Sequence, residues 1–117
     1  MRTITKKFEG ISGSTETHAL DLKVQENARQ TWEFLATGNN VRIRLKSVFT
    51  HPTHEAELAG SGSGTTAGCN IQTIDLTTDV LTIVNFDMKL EHVRCTYDDD
   101  DVGDVTGDLW IKATTAK

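Results

Sequence analysis

The run Val80–Tyr97, VLTIVNFDMKLEHVRCTY, is the longest stretch of strand-like sequence in the chain and contains neither Gly nor Pro. Val84, Phe86, Met88 and Leu90 alternate with Asn85, Asp87, Lys89 and Glu91, the period of two of a half-buried β-strand. Beyond Glu91 the phase inverts, and Val93, Cys95 and Tyr97 become the apolar set. Side chains alternate strictly along a strand, so the inversion requires a special device. One is a β-bulge at Glu91–His92 that leaves the run a single core strand. The other is a corner at which the chain passes from one sheet to another. Both belong to layered β-structure.

The remaining segments agree. Ile4 and Phe8 share a face of a first strand over Thr3–Glu9, and Leu20, Leu22 and Val24 do so over His18–Gln25. Trp32, Phe34 and Ala36 point one way from Thr31–Ala36. Val41, Ile43 and Leu45 point inward from Val41–Phe49, with Arg42, Arg44 and Lys46 outward. Between these last two runs, Thr37-Gly38-Asn39-Asn40 supplies residues that tolerate positive φ, which predicts a hairpin. Cys69–Leu76 reads as a further strand, with a turn at Thr77-Thr78-Asp79, and Gly107–Thr115 closes the chain with Leu109, Ile111 and Ala113 inward. Gly60–Gly68 reads as a flexible loop and residues 98–104 as an acidic one. About seven to nine short strands with turns between them imply an all-β fold, an antiparallel β-sandwich of jelly-roll or immunoglobulin-like kind, with a closed β-barrel as the alternative. At 117 residues the chain is a single-domain length. Abundant Thr suits exposed strand faces.

Charge narrows the partners. The net charge of −5 and scattered basic residues provide no stripe for nucleic acid or for an acidic membrane surface. No apolar run reaches a membrane-spanning length, and no hydrophobic region follows the charged start MRTITKKFEG. The expected location is therefore cytoplasmic at synthesis or within a virion.

The candidate sites are few. Asp98, Asp100, Asp101 and Asp104 could offer oxygens to Ca²⁺, although Val102 and Leu109 break the EF-hand pattern and a solvated acidic loop is the plainer reading. Apart from that calcium, no cofactor is implied. Cys69 and Cys95 could close a disulfide loop of about 25 residues, worth roughly 3 kcal/mol by chain entropy, or remain two thiols. His51 and His54, near Glu55 and Glu57, share a metal only if the chain bends at Pro52. His92 falls where a bulge would re-aim a side chain. Trp32, in phase with Phe34, belongs to a core. Trp110, out of phase with Leu109 and Ile111, faces outward and joins Tyr97 and His92 as a candidate contact with a ligand or partner. The Gly60–Gly68 loop lacks the Lys-Ser/Thr ending of a phosphate loop, and no G-x-S-x-G elbow occurs.

No catalytic constellation remains, so the sequence leans away from an enzyme. It favours a structural or assembly module that self-associates or binds another protein, as a virus, phage or surface-assembly subunit does. The alternatives are a carbohydrate-binding, lectin-like module, with or without calcium, and, more weakly, a small-ligand barrel or an enzyme.

Overall fold

The computed structural model describes residues 2–13, 15–23, 29–50, 57–58, 60, 62–86, 92–99 and 106–116. Ten strands follow in order: β1 (Arg2–Ile11), β2 (Thr17–Lys23), β3 (Arg29–Thr37), β4 (Val41–Ser47), β5 (Phe49–Thr50), β6 (Glu57–Leu58), β7 (Cys69–Leu76), β8 (Thr82–Phe86), β9 (His92–Asp99) and β10 (Gly107–Ala116). A 3₁₀ turn spans Gly64–Thr66. A first sheet has the order β1-β10-β3-β8 and a second the order β2-β9-β4-β7, with β5-β6 as a short ribbon. The two sheets pack as a sandwich rather than closing into a barrel.

Setting the ribbon aside, the eight long strands pair from the outside in. The first pairs with the last (β1·β10), the second with the second-last (β2·β9), then β3 with β8 and β4 with β7, all antiparallel. One long hairpin rolled into two layers has this connectivity, which is the jelly roll and not the immunoglobulin order.

The inward residues are those of the alternation. Leu20 and Leu22 on β2, Trp32, Phe34 and Ala36 on β3, Val41, Ile43 and Leu45 on β4, Val93 and Cys95 on β9, and Leu109, Ile111 and Ala113 on β10 form one buried cluster. Trp32 and Phe34 lie with ring centroids 6.1 Å apart, and the Trp32 indole N–H donates to Gln30 Oε1 at 3.2 Å. The buried ring therefore keeps its polar atom satisfied.

Two expectations change. Val80–Tyr97 is not one core strand: β8 is an edge of the first sheet, whereas β9 lies inside the second. The phase inversion thus marks a change of sheet. Met88, Leu90 and the Glu91 half of the expected bulge lie outside the described residues. Likewise β3 and β4 form no hairpin, since β3 pairs with β10 and β8, and β4 with β7 and β9. Gly38, at φ 80°, turns the chain across the sandwich instead. The turn is fastened by its asparagines: Asn39 Nδ2 donates to Asp99 Oδ2 at 2.7 Å, and Asn40 Oδ1 accepts from the Thr78 amide at 3.1 Å. Phe34 and Ile43 face one core from opposite sheets, and a hairpin would show the same alternation along each strand.

Gly107 opens β10 against this crossing. A Cβ there would overlap the Thr37 carbonyl oxygen and lie 2.8 Å from Asn39 Cβ. Backbone cannot swing aside as a flexible side chain would, so Gly107→Ala is expected to cost about 2–3 kcal/mol by overpacking. Urea unfolding should show a lower midpoint at unchanged slope; a wild-type midpoint would mean that the crossing yields without strain.

Candidate functional site

The two sheets present opposite kinds of outer surface. On the second sheet, outward positions carry charge, yet much of it is covered. Lys46 was expected outward in solvent; it does point away from the core, but its exposure is 0%. Its ammonium donates to Glu16 Oε1 and Oε2 at 2.8 and 2.9 Å and to the Thr66 carbonyl at 2.6 Å. Arg94, 3% exposed, holds Asp21 through Nε at 2.8 Å and NH2 at 3.1 Å. Arg44 bridges Asp98 and Glu16. Burial alone would raise the Asp21 carboxyl, but hydrogen bonds and charge from Arg94 and His18 outweigh it and hold the group well below the usual carboxylate range.

The cover is part of the loop expected to be flexible. In its described residues, Thr66 Oγ1 donates to the Ser63 carbonyl at 2.8 Å and accepts from the Ser63 amide at 3.1 Å. The Gly64–Thr66 turn lies over the sheet and offers its carbonyls to the cations beneath. Gly-rich composition shows loop character; only the tertiary contact reveals the fastening.

The first sheet is different. Cross-strand register aligns Lys7, Trp110 and Leu35 in one outer row and Thr5, Lys112, Glu33 and Ile83 in the next. The Lys7 ammonium sits 4.9 Å from the centre of the Trp110 ring, and Lys112 and Glu33 are 3.6 Å apart. Thr31 Oγ1 donates to Asn85 Oδ1 at 2.9 Å in the row beyond. A cleft of about 310 Å³ lies among Thr5, Glu33, Leu35, Leu81, Trp110 and Lys112. Leu81, which lines it, is 57% exposed, and Ile83, opposite Glu33 in the register, is 53% exposed. Large aliphatic side chains so placed beside an indole form an apolar strip of the kind that marks interaction surfaces.

Ile83 belongs to an edge strand. Sheet edges carry unpaired backbone groups, and proteins blunt them with charges, above all lysine. The other three edges do so: Arg2, Lys6 and Lys7 on β1, Asp21 and Lys23 on β2, and Asp75 on β7. Strand β8, TIVNF, has no charged residue and no Pro.

The predicted contact residues do not converge. Trp110 is half-buried on the outer face of the first sheet, beside the cleft. Tyr97 is no surface platform: it lies on the inner side of the second sheet and packs on Phe8 with ring centroids 5.1 Å apart. Burial pushes its phenol upward. His92 is 9% exposed, with Nε2 3.3 Å from Asp21 Oδ2.

Asp98 is a buried strand residue paired with Arg44 rather than part of a solvated loop. Asp99 beside it points the other way, to Asn39. Asp100, Asp101 and Asp104 lie outside the described residues, as do His51 and His54. Among the described residues no group of three or more His, Cys, Asp and Glu is placed to hold a metal.

Cys69 and Cys95 are both free, the first exposed and the second buried. Strands β7 and β9 flank β4, which puts the two backbones roughly 10 Å apart at two strand spacings, beyond disulfide reach. Of the two readings, the structure has the two thiols.

Sequence reasoning missed Leu81 and Ile83 because it followed the Val84–Phe86 phase. The signal was present: Val80, Leu81, Ile83 and Val84 put apolar residues in both phases, so an aliphatic side chain falls on the outward face of β8 as well as on the inward one.

No protein-family model and no curated protein sequence matches the chain. Among solved structures, the fold is similar to a chain described by the words "Bacillus endospore appendages form a novel family of disulfide-linked pili". The TM-score is 0.58 at 12% identity, over 96% of this chain and 82% of that one. At that identity the likeness concerns the fold.

Proposed function

We propose that this protein is a structural subunit that self-associates through the β8 edge and the apolar strip beside it. The observation that carries this reading is the unguarded edge itself, with Leu81 and Ile83 exposed next to it. Strand addition at such an edge satisfies the backbone groups that no other described strand pairs, while burial of Leu81, Ile83 and Leu35 supplies the hydrophobic gain. The fold shared with a chain of a pilus supports an assembly role. A carbohydrate site at Trp110 has less support, because Lys7 already covers the indole ring.

Light scattering over a range of concentrations, with negative-stain microscopy, tests the reading. Wild type should form oligomers or filaments, and Ile83→Lys should remain monomeric with an unchanged melting temperature. A wild type that stays monomeric at high concentration sinks the proposal. Runs with and without reductant, together with Cys69→Ser, separate covalent from non-covalent association, since Cys69 is the exposed thiol and Cys95 is enclosed.

A further inference from the structure

The outer face of the second sheet holds a cluster that the assembly reading leaves unused. Asp21 stands at its centre and is shared by four nitrogens of three side chains. Arg94 Nε and His18 Nε2 meet Oδ1 at 2.8 and 3.0 Å. Arg94 NH2 and His92 Nε2 meet Oδ2 at 3.1 and 3.3 Å. Each carboxylate oxygen thus has one guanidinium nitrogen and one imidazole nitrogen beside it. His92 Nε2 is enclosed and makes no hydrogen bond of good geometry among the described residues.

The same guanidinium fastens the loop above. Arg94 NH1 donates to the Ala67 carbonyl at 3.1 Å and to the Gly64 carbonyl at 3.3 Å. Lys46, clasped by Glu16, adds the bond to the Thr66 carbonyl. The turn's own backbone bonds, Thr66 to Ser63 at 3.0 Å and Ala67 to Gly64 at 3.2 Å, close within it. Two buried cations and their counter-ions therefore hold residues 62–67 down.

We propose that residues 62–67 form a pH-sensitive strap over the second sheet, loosened when His18 and His92 are protonated. Around the cluster, the described charged groups are Asp21 and Lys23 on β2, Arg94 and Asp98 on β9, Arg44 and Lys46 on β4, and Glu16 before β2. Lys23 is opposite His92 in the register and exposed. Of the covered groups, the cations Arg44, Lys46 and Arg94 balance the anions Glu16, Asp21 and Asp98. Protonating both imidazoles adds two positive charges and no anion. Each imidazolium then competes with Arg94 for an oxygen of Asp21, in surroundings too enclosed for water to screen the repulsion fully. Arg94 is the group whose retreat relieves it, and its retreat removes its bonds to the Ala67 and Gly64 carbonyls of the strap.

Hydrogen exchange read by mass spectrometry tests this, with rates corrected for the intrinsic pH dependence. Protection of the 62–67 amides should fall roughly tenfold between about pH 7.5 and about pH 5.5, the range in which imidazoles titrate, while β3 is unchanged. The double variant His18→Gln/His92→Gln should abolish the difference. Equal protection at the two pH values, or a difference that persists in the double variant, overturns the proposal. Should that variant not fold, NMR titration of wild type decides: the midpoint of strap loosening must coincide with that of an imidazole, and midpoints a unit or more apart reject the link.

Discussion

Trp32→Ala is expected to lower the unfolding free energy by about 4 kcal/mol, the middle of the range for deleting a buried indole. Trp32 is fully buried between the sheets, stacked against Phe34 in a cluster to which all eight long strands contribute. The substitution removes the ring's apolar surface, opens a cavity that a two-sheet core cannot easily collapse around, and leaves buried Gln30 Oε1 without its indole donor. A domain of this size has about 5–15 kcal/mol in total, so the variant should be near the edge of folding at ambient temperature. Urea unfolding followed by near-ultraviolet circular dichroism measures it. Trp110→Ala is the control: half-buried on an outer face, it should cost much less. Equal losses at the two positions would refute the assignment of Trp32 to the core and Trp110 to the surface.

Asp21→Asn is expected to cost about 3 kcal/mol near neutral pH, at the low end for breaking a buried ion pair because Asp21 itself is partly open to solvent. The amide keeps the shape of the carboxylate but removes the negative charge that Arg94 holds through two nitrogens. The pH dependence should follow. The carboxyl of Asp21 is held below its ordinary value in the folded protein, so its contribution is complete above the unfolded-state value of about 4 and is lost as pH falls further. Wild type should therefore lose stability on acidification below about pH 4 more steeply than Asp21→Asn, whose curve lacks this component. Parallel curves would mean that Asp21 does not contribute through its charge.

Much of the core was legible because alternation is a local property. Leu20, Leu22, Trp32, Phe34, Ala36, Val41, Ile43, Leu45, Leu109, Ile111 and Ala113 occupy the inward positions that a period of two assigns them. The turn at Thr77-Thr78-Asp79 and the extent of Cys69–Leu76 could also be read directly, from turn residues and β-branched content. The candidate site was less legible. Trp110 announced itself by being out of phase. The exposure of Ile83 depends on β8 being an edge, which cannot be known before the partners of β3 are known.

The sequence by itself determined an all-β chain, which side chains of most strands face inward, and where the chain turns. Tertiary structure alone decided which strands pair. Thr3 meets Thr114, 111 residues away, and no local signal encodes a contact of that range. Val80–Tyr97 contains both halves of the lesson. Its phase inversion required a bulge or a change of sheet, and only the packing of the two sheets chose the latter. Lys46 and Arg94 follow the same rule: a charged residue on an outward phase reads as solvated until a distant loop is laid over it, because burial depends on what the rest of the chain brings.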